Sequence, residues 1–216
     1  MFERMGEFFD ARLDGYEEHQ LANIGSAAEF YPFTAERLPR FPGARVLDLG
    51  CGTGLELGYY FELVPDADVT GIDLAPGMLE RLRAKFPGKK LTPVRGSYFD
   101  VPFGERAFDA AVSVESLHHF TKEEKIPLYA KLRKALKDDG YFILTDYFAS
   151  SAEEERSRRA ELLRLKREQG LPEGEFYHFD TPLTPEHETE ALLEAGFADV
   201  GVLGAWGPTR TLKAAV

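Results

Sequence analysis

Val46-Leu47-Asp48-Leu49-Gly50-Cys51-Gly52-Thr53-Gly54 is a short apolar strand running into a turn with glycine at three alternate positions. Without β-carbons there, backbone N–H groups can come close to a bound ligand. An amphipathic pattern follows at Leu55, Leu57, Tyr59, Tyr60 and Leu63, so a helix is expected from near Thr53. A second strand-like run, Asp68 to Ile72, delivers Asp73. That residue lies about 20 positions beyond the glycines, from where a carboxylate accepts both hydroxyls of a ribose. A glycine-rich turn alone has steric explanations; joined to an acidic residue at this spacing, it reads as a strand-loop-helix nucleotide cradle.

Two ligands compete for such a cradle: a dinucleotide, with its pyrophosphate on the helix N-terminus, and an adenosyl compound without phosphate. Counted from Gly50 and Gly52, the dinucleotide fingerprint wants its third glycine where Leu55 stands, and here it arrives one residue early, at Gly54. Asp48 leans the same way. A carboxylate at the mouth of the cradle repels pyrophosphate and attracts an ammonium group, and S-adenosylmethionine carries both an ammonium and a sulfonium.

At this point the chain resembles the class I S-adenosylmethionine-dependent methyltransferases. VLDLGCGTG (residues 46–54) looks like their first motif, GIDLAPGMLERLRAKF (71–86) like their second-strand acidic motif and the helix after it, and FDAAVSVESLHHF (108–120) like their fourth strand. LRKALKDDGYFILTDY (132–147) resembles the helix-turn-strand that closes their cofactor half. The resemblance runs from about Phe41 to the C-terminus and bears on the cofactor far more than on the acceptor. It implies that Gly50, Cys51, Gly52 and Gly54 run against the amino-acid half of S-adenosylmethionine, with Asp48 near its ammonium, Asp73 on the ribose, and Leu74 and Met78 walling the adenine. Where the family places an acidic residue against the adenine amino group, this chain has Ser97; a Tyr98 amide and Asp100 are the substitutes at hand. Glu115 ends the fourth strand beside the cofactor sulfur.

Outward from the cradle, apolar patterning gives strands over 45–49, 68–72, 91–96, 108–114, 140–146, 200–203 and 209–214, with helices over 53–63, 76–86, 122–136 and 185–195. The alternation implies an α/β fold: a Rossmann-like, seven-stranded, mostly parallel sheet with helices on both faces, ligands at the carboxyl ends of its strands, and, by the resemblance, the last strand antiparallel. The expected organisation is one methyltransferase domain over 1–216. It comprises an N-terminal helical lid (1–40), a cofactor-binding half (41–148), a cap helix and loop (149–183), and a C-terminal helix with antiparallel strands (184–216). Within the lid, helical patterns cover 2–13 and 17–38, the second interrupted at Pro32. The segment 153–169 is strongly charged, and 170–182 is an aromatic-rich loop.

Composition sets the outer limits. The 216 residues, 44% hydrophobic, suit one domain with a sizeable core. No apolar run is long enough to span a bilayer, and Met1-Phe2-Glu3-Arg4-Met5 lacks a secretory pattern, so a cytoplasmic location and no membrane partner are expected. A net charge of -11 disfavours a nucleic-acid footprint. Cys51 is the only cysteine, which rules out intrachain disulfides and cysteine-based zinc sites. A homodimer is compatible with the sequence.

The acceptor side is less legible. His118 and His119, in the segment that the sheet places beside the cofactor sulfur, are the candidate bases. Asp146 and Tyr147 end the fifth strand on the same rim; Tyr16 and Tyr31 belong to the lid, and His178 with Asp180 forms a possible pair in the aromatic loop. No metal is expected, because adjacent histidines normally point to different sides. The reading is methyl transfer to a small-molecule nucleophile by in-line displacement at the sulfonium methyl. Two alternatives stand beside it. The late LTPEHETEALLEAGF segment (183–197) is similar to carboxy-S-adenosylmethionine synthases linked to tRNA wobble-uridine modification, although the arginine those enzymes use is missing from 170–184. The other is a non-catalytic adenosyl-ligand binding protein.

Overall fold

The computed structural model describes residues 2–172 and 175–216, so two positions of the aromatic loop, 173 and 174, lie outside the described residues. Seven strands, β1 (Arg45–Leu49), β2 (Asp68–Asp73), β3 (Lys90–Arg95), β4 (Phe108–Val114), β5 (Leu136–Tyr147), β6 (Asp199–Trp206) and β7 (Thr209–Ala215), form one sheet in the order β3-β2-β1-β4-β5-β7-β6. The first five run parallel, and β7 inserts antiparallel between β5 and β6. The chain leaves β1 towards β2 on one side and returns to β4 on the other, and a crevice opens at the carboxyl end of such a switch point.

Period-two alternation sorts the strand side chains between two helical layers. On β1, Val46 faces α3 (Ala27–Ala35), α4 (Leu55–Leu63) and α5 (Pro76–Lys85), whereas Leu47 and Leu49 face α6 (Lys122–Ala135) and α8 (Pro185–Glu194). Asp48 therefore shares the face of Val46 and points its carboxylate under α4. α7 (Ala152–Gln169) buries only Leu162, in keeping with a charged cap helix; Ser151 accepts from the Glu154 amide at its start, and Gly170 ends it in the left-handed region.

The N-terminal region departs from the expected pair of helices. α1 (Met5–Asp10), α2 (Tyr16–Asn23) and α3 are separate, and the break falls at Gly25-Ser26, where Ser26 adopts φ 63°, while Pro32 is accommodated inside α3. Only α1 and α2 form a lid. α3 is a layer helix: Phe30 is fully buried, and Thr34 Oγ1 lies 2.5 Å from Thr145 Oγ1 of β5, which continues to Thr211 Oγ1 of β7 at 2.8 Å. The lid is stitched to α5, with Asp10 Oδ1 accepting from the Gly77 amide (2.9 Å), Arg81 donating to the Leu13 carbonyl and to Asp14, and Lys85 donating to Glu17. Arg4 also forms a β-bridge with Tyr177, joining the lid to the aromatic loop. Among the described residues, no helix is long and apolar enough to cross a membrane.

Candidate active site

The glycine turn is held by its own chain. Amides of Gly50 and Cys51 donate to the Ile72 carbonyl, and that of Gly52 donates to Asp73 Oδ2 at 2.9 Å. These amides are therefore engaged, and the missing β-carbons of Gly50 and Gly54 make room for side chains of the chain itself. Gly50 (φ 75°) has no room for one, since it would collide with Ser116. Gly54 (φ 71°) packs under Leu82 and caps α4, which starts at Leu55 rather than Thr53. Cys51 turns its sulfur into the core against Gly71.

Asp73 also accepts the Ala75 amide at 2.8 Å on its other oxygen, so each carboxylate oxygen keeps a lone pair for a hydroxyl. Burial raises its pKa, and the backbone donors oppose that. With Gly50, Gly52, Leu74, Met78, Tyr98, Glu115 and Ser116, Asp73 lines a narrow cleft of about 50 Å³ roofed by Met5, Phe9 and Tyr16 of the lid region. Lys131 fixes the far wall by donating to the carbonyls of Tyr98 (2.5 Å), Phe99 (2.7 Å) and Val101 (3.1 Å). Ser97 does not reach the cleft, because its hydroxyl accepts from the Phe99 amide, and Asp100 is exposed on the outside of the same turn.

Behind the turn lies a group of unpartnered polar atoms. Among the described residues, both carboxylate oxygens of Asp48, Oε1 of Glu56 and Oγ1 of Thr53 are buried without a hydrogen-bond partner. Burial, with Glu56 adding to it, pushes the Asp48 pKa far above the carboxylate range, and burial raises Glu56 too. Two acids buried together with no donor are costly unless a cation arrives. These oxygens thus fit the ammonium of an amino-acid group, as the remaining lone pairs of Asp73 fit the hydroxyls of a nucleoside.

A second cavity, of about 880 Å³, adjoins the cleft; its walls include Phe8, Tyr147, Trp206, His118, His178 and Asp180. Phe9, Tyr16, Glu115 and His119 line both spaces and mark their junction. Tyr31, expected near the acceptor, lies instead in the core beside Phe30, because α3 belongs to the sheet's helical layer. Asp146 stands behind the wall rather than on it. Its Oδ1 lies 2.5 Å from His118 Nδ1, and its oxygens accept the amides of Leu117 and Tyr147.

The expectation that the adjacent histidines diverge is corrected by the structure. A 3₁₀ turn over Leu117–His119 brings their rings to 4.1 Å between centroids. Asp180 pairs with this turn and not with His178: its Oδ1 is 3.1 Å from His119 Nδ1 and 3.7 Å from His118 Nε2, while His178 stacks on Phe8 at 3.5 Å. Burial lowers the His118 pKa, but Asp146 outweighs it and lifts the group to about 9; burial and the neighbouring His118 push His119 down to about 4. Glu115, at a strained φ of 49° and accepting from Thr209 Oγ1 at 3.3 Å, is pushed up to about 7 by burial and by Asp146. Phe9, Trp206 and the role of Asp180 had no local signal in the sequence, for each reaches the site from a remote segment.

Comparison with known proteins bears on the cradle. Residues 46–140 match the Methyltransferase domain family. An uncharacterised methyltransferase of Synechocystis is 34% identical over 124 residues, covering 57% of each chain. A sterol 24-C-methyltransferase of Gibberella zeae is 29% identical over 203 residues, covering 89% of this chain and 46% of its own. The chain therefore spans about half the length of these relatives. Among solved structures, the DhpI-SAM-HEP complex superposes with a TM-score of 0.71 at 19% identity over 97% of this chain and 94% of that one. An S-adenosylmethionine-dependent methyltransferase from Mesorhizobium loti gives 0.62 at 24% identity over 86% and 96%. Residues 46–140, with the glycine turn and Asp73, therefore carry a methyltransferase domain, and the sheet as a whole has the fold of S-adenosylmethionine-dependent methyltransferases.

Proposed function

We propose that this chain transfers a methyl group to an oxygen or nitrogen of a small, largely apolar molecule held in the 880 Å³ cavity. One observation carries the reading: the cofactor cleft and the larger cavity share a wall made of Phe9, Tyr16, Glu115 and His119. When bound, S-adenosylmethionine supplies an electrophilic methyl on a positively charged sulfur. Asp73 would hold the ribose, Asp48 and Glu56 the ammonium, and Leu74, Met78 and Tyr98 the adenine end. The remaining task of the chain is to bring a nucleophile into line and, for a hydroxyl, to remove its proton.

Glu115 is the proton acceptor in this reading. It faces the junction, a left-handed backbone of the kind concentrated at functional sites sets its direction, and its pKa of about 7 suits a base near neutrality. The histidines fit that role less well, since His118 is committed to Asp146 and His119 is a weak base. The aromatic walls favour an acceptor with an apolar body. Arg12, the arginine lining the cavity among the described residues, is paired with Glu3, which leaves it no free fork for a carboxylate and weighs against the carboxy-S-adenosylmethionine reading. Relatives include a fatty-acid O-methyltransferase and an erythromycin 3''-O-methyltransferase, in line with a small acceptor.

Incubation with methyl-labelled S-adenosylmethionine and a library of hydroxylated and amine-bearing metabolites tests this. Labelled product, with loss of turnover in Glu115→Gln while cofactor binding persists, is the expected result. Binding of the cofactor with no acceptor consumed across the library, or full turnover in Glu115→Gln, would overturn it.

A further inference from the structure

Four of the chain's five histidines, His19, His118, His119 and His178, line the 880 Å³ cavity, a concentration that methyl transfer itself does not require. Three of them form a continuous group: His118 and His119 are 4.1 Å apart between ring centroids, and His119 and His178 are 4.9 Å apart. Within the group, one nitrogen of His118, one of His119 and a carboxylate oxygen of Asp180 lie within 4.8 Å of one another. Asp180 is nearest to His119 Nδ1, at 3.1 Å, and to His118 Nε2, at 3.7 Å. We propose that His118, His119 and Asp180 form a binding site for a first-row divalent transition-metal ion on the wall of the acceptor cavity.

Three features make this a built site rather than a chance grouping. The first is orientation: His118 presents Nε2 because its Nδ1 is held by Asp146, whose second oxygen accepts the Leu117 amide, and such carboxylate-histidine pairs orient metal-bound imidazoles. The second is rigidity. Both histidines sit on the 3₁₀ turn directly after β4, and the segment carrying Asp180 is pinned to it by the Thr181 amide donating to the His118 carbonyl at 2.8 Å. The third is asymmetry: both imidazoles are nearly buried, whereas Asp180 is 39% exposed and all three line the cavity, so coordination positions remain open on that side. A closed structural site would have no such opening.

The donor types set the metal class. Two imidazoles and one carboxylate suit zinc, iron(II), manganese, cobalt or nickel; calcium and magnesium prefer all-oxygen sets, and no thiolate is present to select softer ions. A metal ion on Nε2 would take the place of a proton on that nitrogen, while Nδ1 keeps its bond to Asp146. The open side faces the cavity, so the site favours acceptors with an oxygen donor, a hydroxyl or an enolisable carbonyl, over purely hydrocarbon ones. That consequence for the substrate rests on the methyltransferase reading; the metal site itself does not.

The test uses full-length, tag-free protein stripped with a chelator and titrated with cobalt(II), whose visible absorption reports nitrogen and oxygen ligation. One equivalent of cobalt should develop saturable bands that zinc abolishes, with Asp180→Asn and His119→Ala each weakening binding by about tenfold or more, the order of loss found for changes at metal sites. Melting temperature confirms that both variants are folded, and calorimetric binding of S-adenosylmethionine adds a second check for Asp180→Asn, because partly exposed Asp180 does not line the cofactor cleft. Absence of saturable bands, or wild-type cobalt affinity in both variants, would overturn the site. If the stripped protein binds S-adenosylmethionine and methylates an acceptor but takes up no cobalt, the metal site fails and the methyltransferase reading stands. If cobalt binds at these residues while S-adenosylmethionine does not, the reverse holds.

Discussion

Replacing Asp48 with Asn should make the ligand-free protein more stable and its cofactor binding weaker. Both carboxylate oxygens of Asp48 are buried without a donor, Glu56 offers another bare oxygen beside them, and the pair is strained against burial. An unsatisfied buried polar group costs about 1–3 kcal/mol. An Asn amide spares the fold the cost of keeping a proton on Asp48 at neutral pH and presents a permanent donor to Glu56, so the gain is about 1–3 kcal/mol, or about 2–4 °C in Tm per kcal/mol for a chain of this size. The sign with pH follows from linkage. Because the folded pKa of Asp48 is raised above the unfolded value, its contribution to stability is complete below the unfolded pKa and is lost as pH rises through the folded one. The advantage of Asp48→Asn over wild type should accordingly grow from acid to neutral pH. Loss of a charged partner for the ammonium should cost about 1.5–3 kcal/mol, roughly tenfold or more in Kd. Thermal melts of both proteins across pH, without ligand, and calorimetry with S-adenosylhomocysteine, which keeps the ammonium, measure the two halves. A ligand-free variant that melts no higher than wild type at neutral pH, or that binds the ligand equally well, would refute the reasoning.

Asp73→Ala should weaken S-adenosylhomocysteine binding by about tenfold or more, since the carboxylate holds the Gly52 amide and, in the proposed pose, would accept the ribose hydroxyls, as calorimetry would report. Glu115→Gln should lower kcat by about 10²–10⁴ with cofactor affinity preserved, read by steady-state kinetics beside calorimetry. Lys125→Ala should destabilise the fold by about 3–5 kcal/mol by stranding Glu188, buried with it at 2.6 Å and also bonded by Tyr129, whereas Lys125→Met with Glu188→Leu should recover most of that loss in urea unfolding. Ser116→Gly should make Gly50→Ala less damaging than it is alone, because Ser116 is what an added β-carbon meets; melting temperatures of the double-mutant cycle decide it.

What could be read from the sequence was whatever local spacing encodes. The glycine turn, Asp73 and the strand-helix alternation are each specified within a few dozen residues, and the sheet has seven strands with β7 antiparallel. Even there the fine structure escaped: the turn's amides serve Ile72 and Asp73, which only the register of β1 on β2 reveals. Pro32 was a misleading break because a left-handed Ser26 after Gly25 disrupts the chain more than a proline that α3 can absorb. The acceptor side was hardest. Whether His118 and His119 diverge depends on the 3₁₀ turn between β4 and α6, and Asp180 joins them from a segment some sixty positions later.

The Lys131 ammonium, gripping three carbonyls of the 98–101 turn, makes one end of the cleft stiff, while the other end gives onto roomy space. Selectivity for the alkyl donor should be just as lopsided. Compounds edited on the purine would be turned away. Sulfonium analogues bearing allyl or propargyl in place of methyl would find space ahead of them, making this scaffold a candidate for installing longer carbon groups on its acceptor.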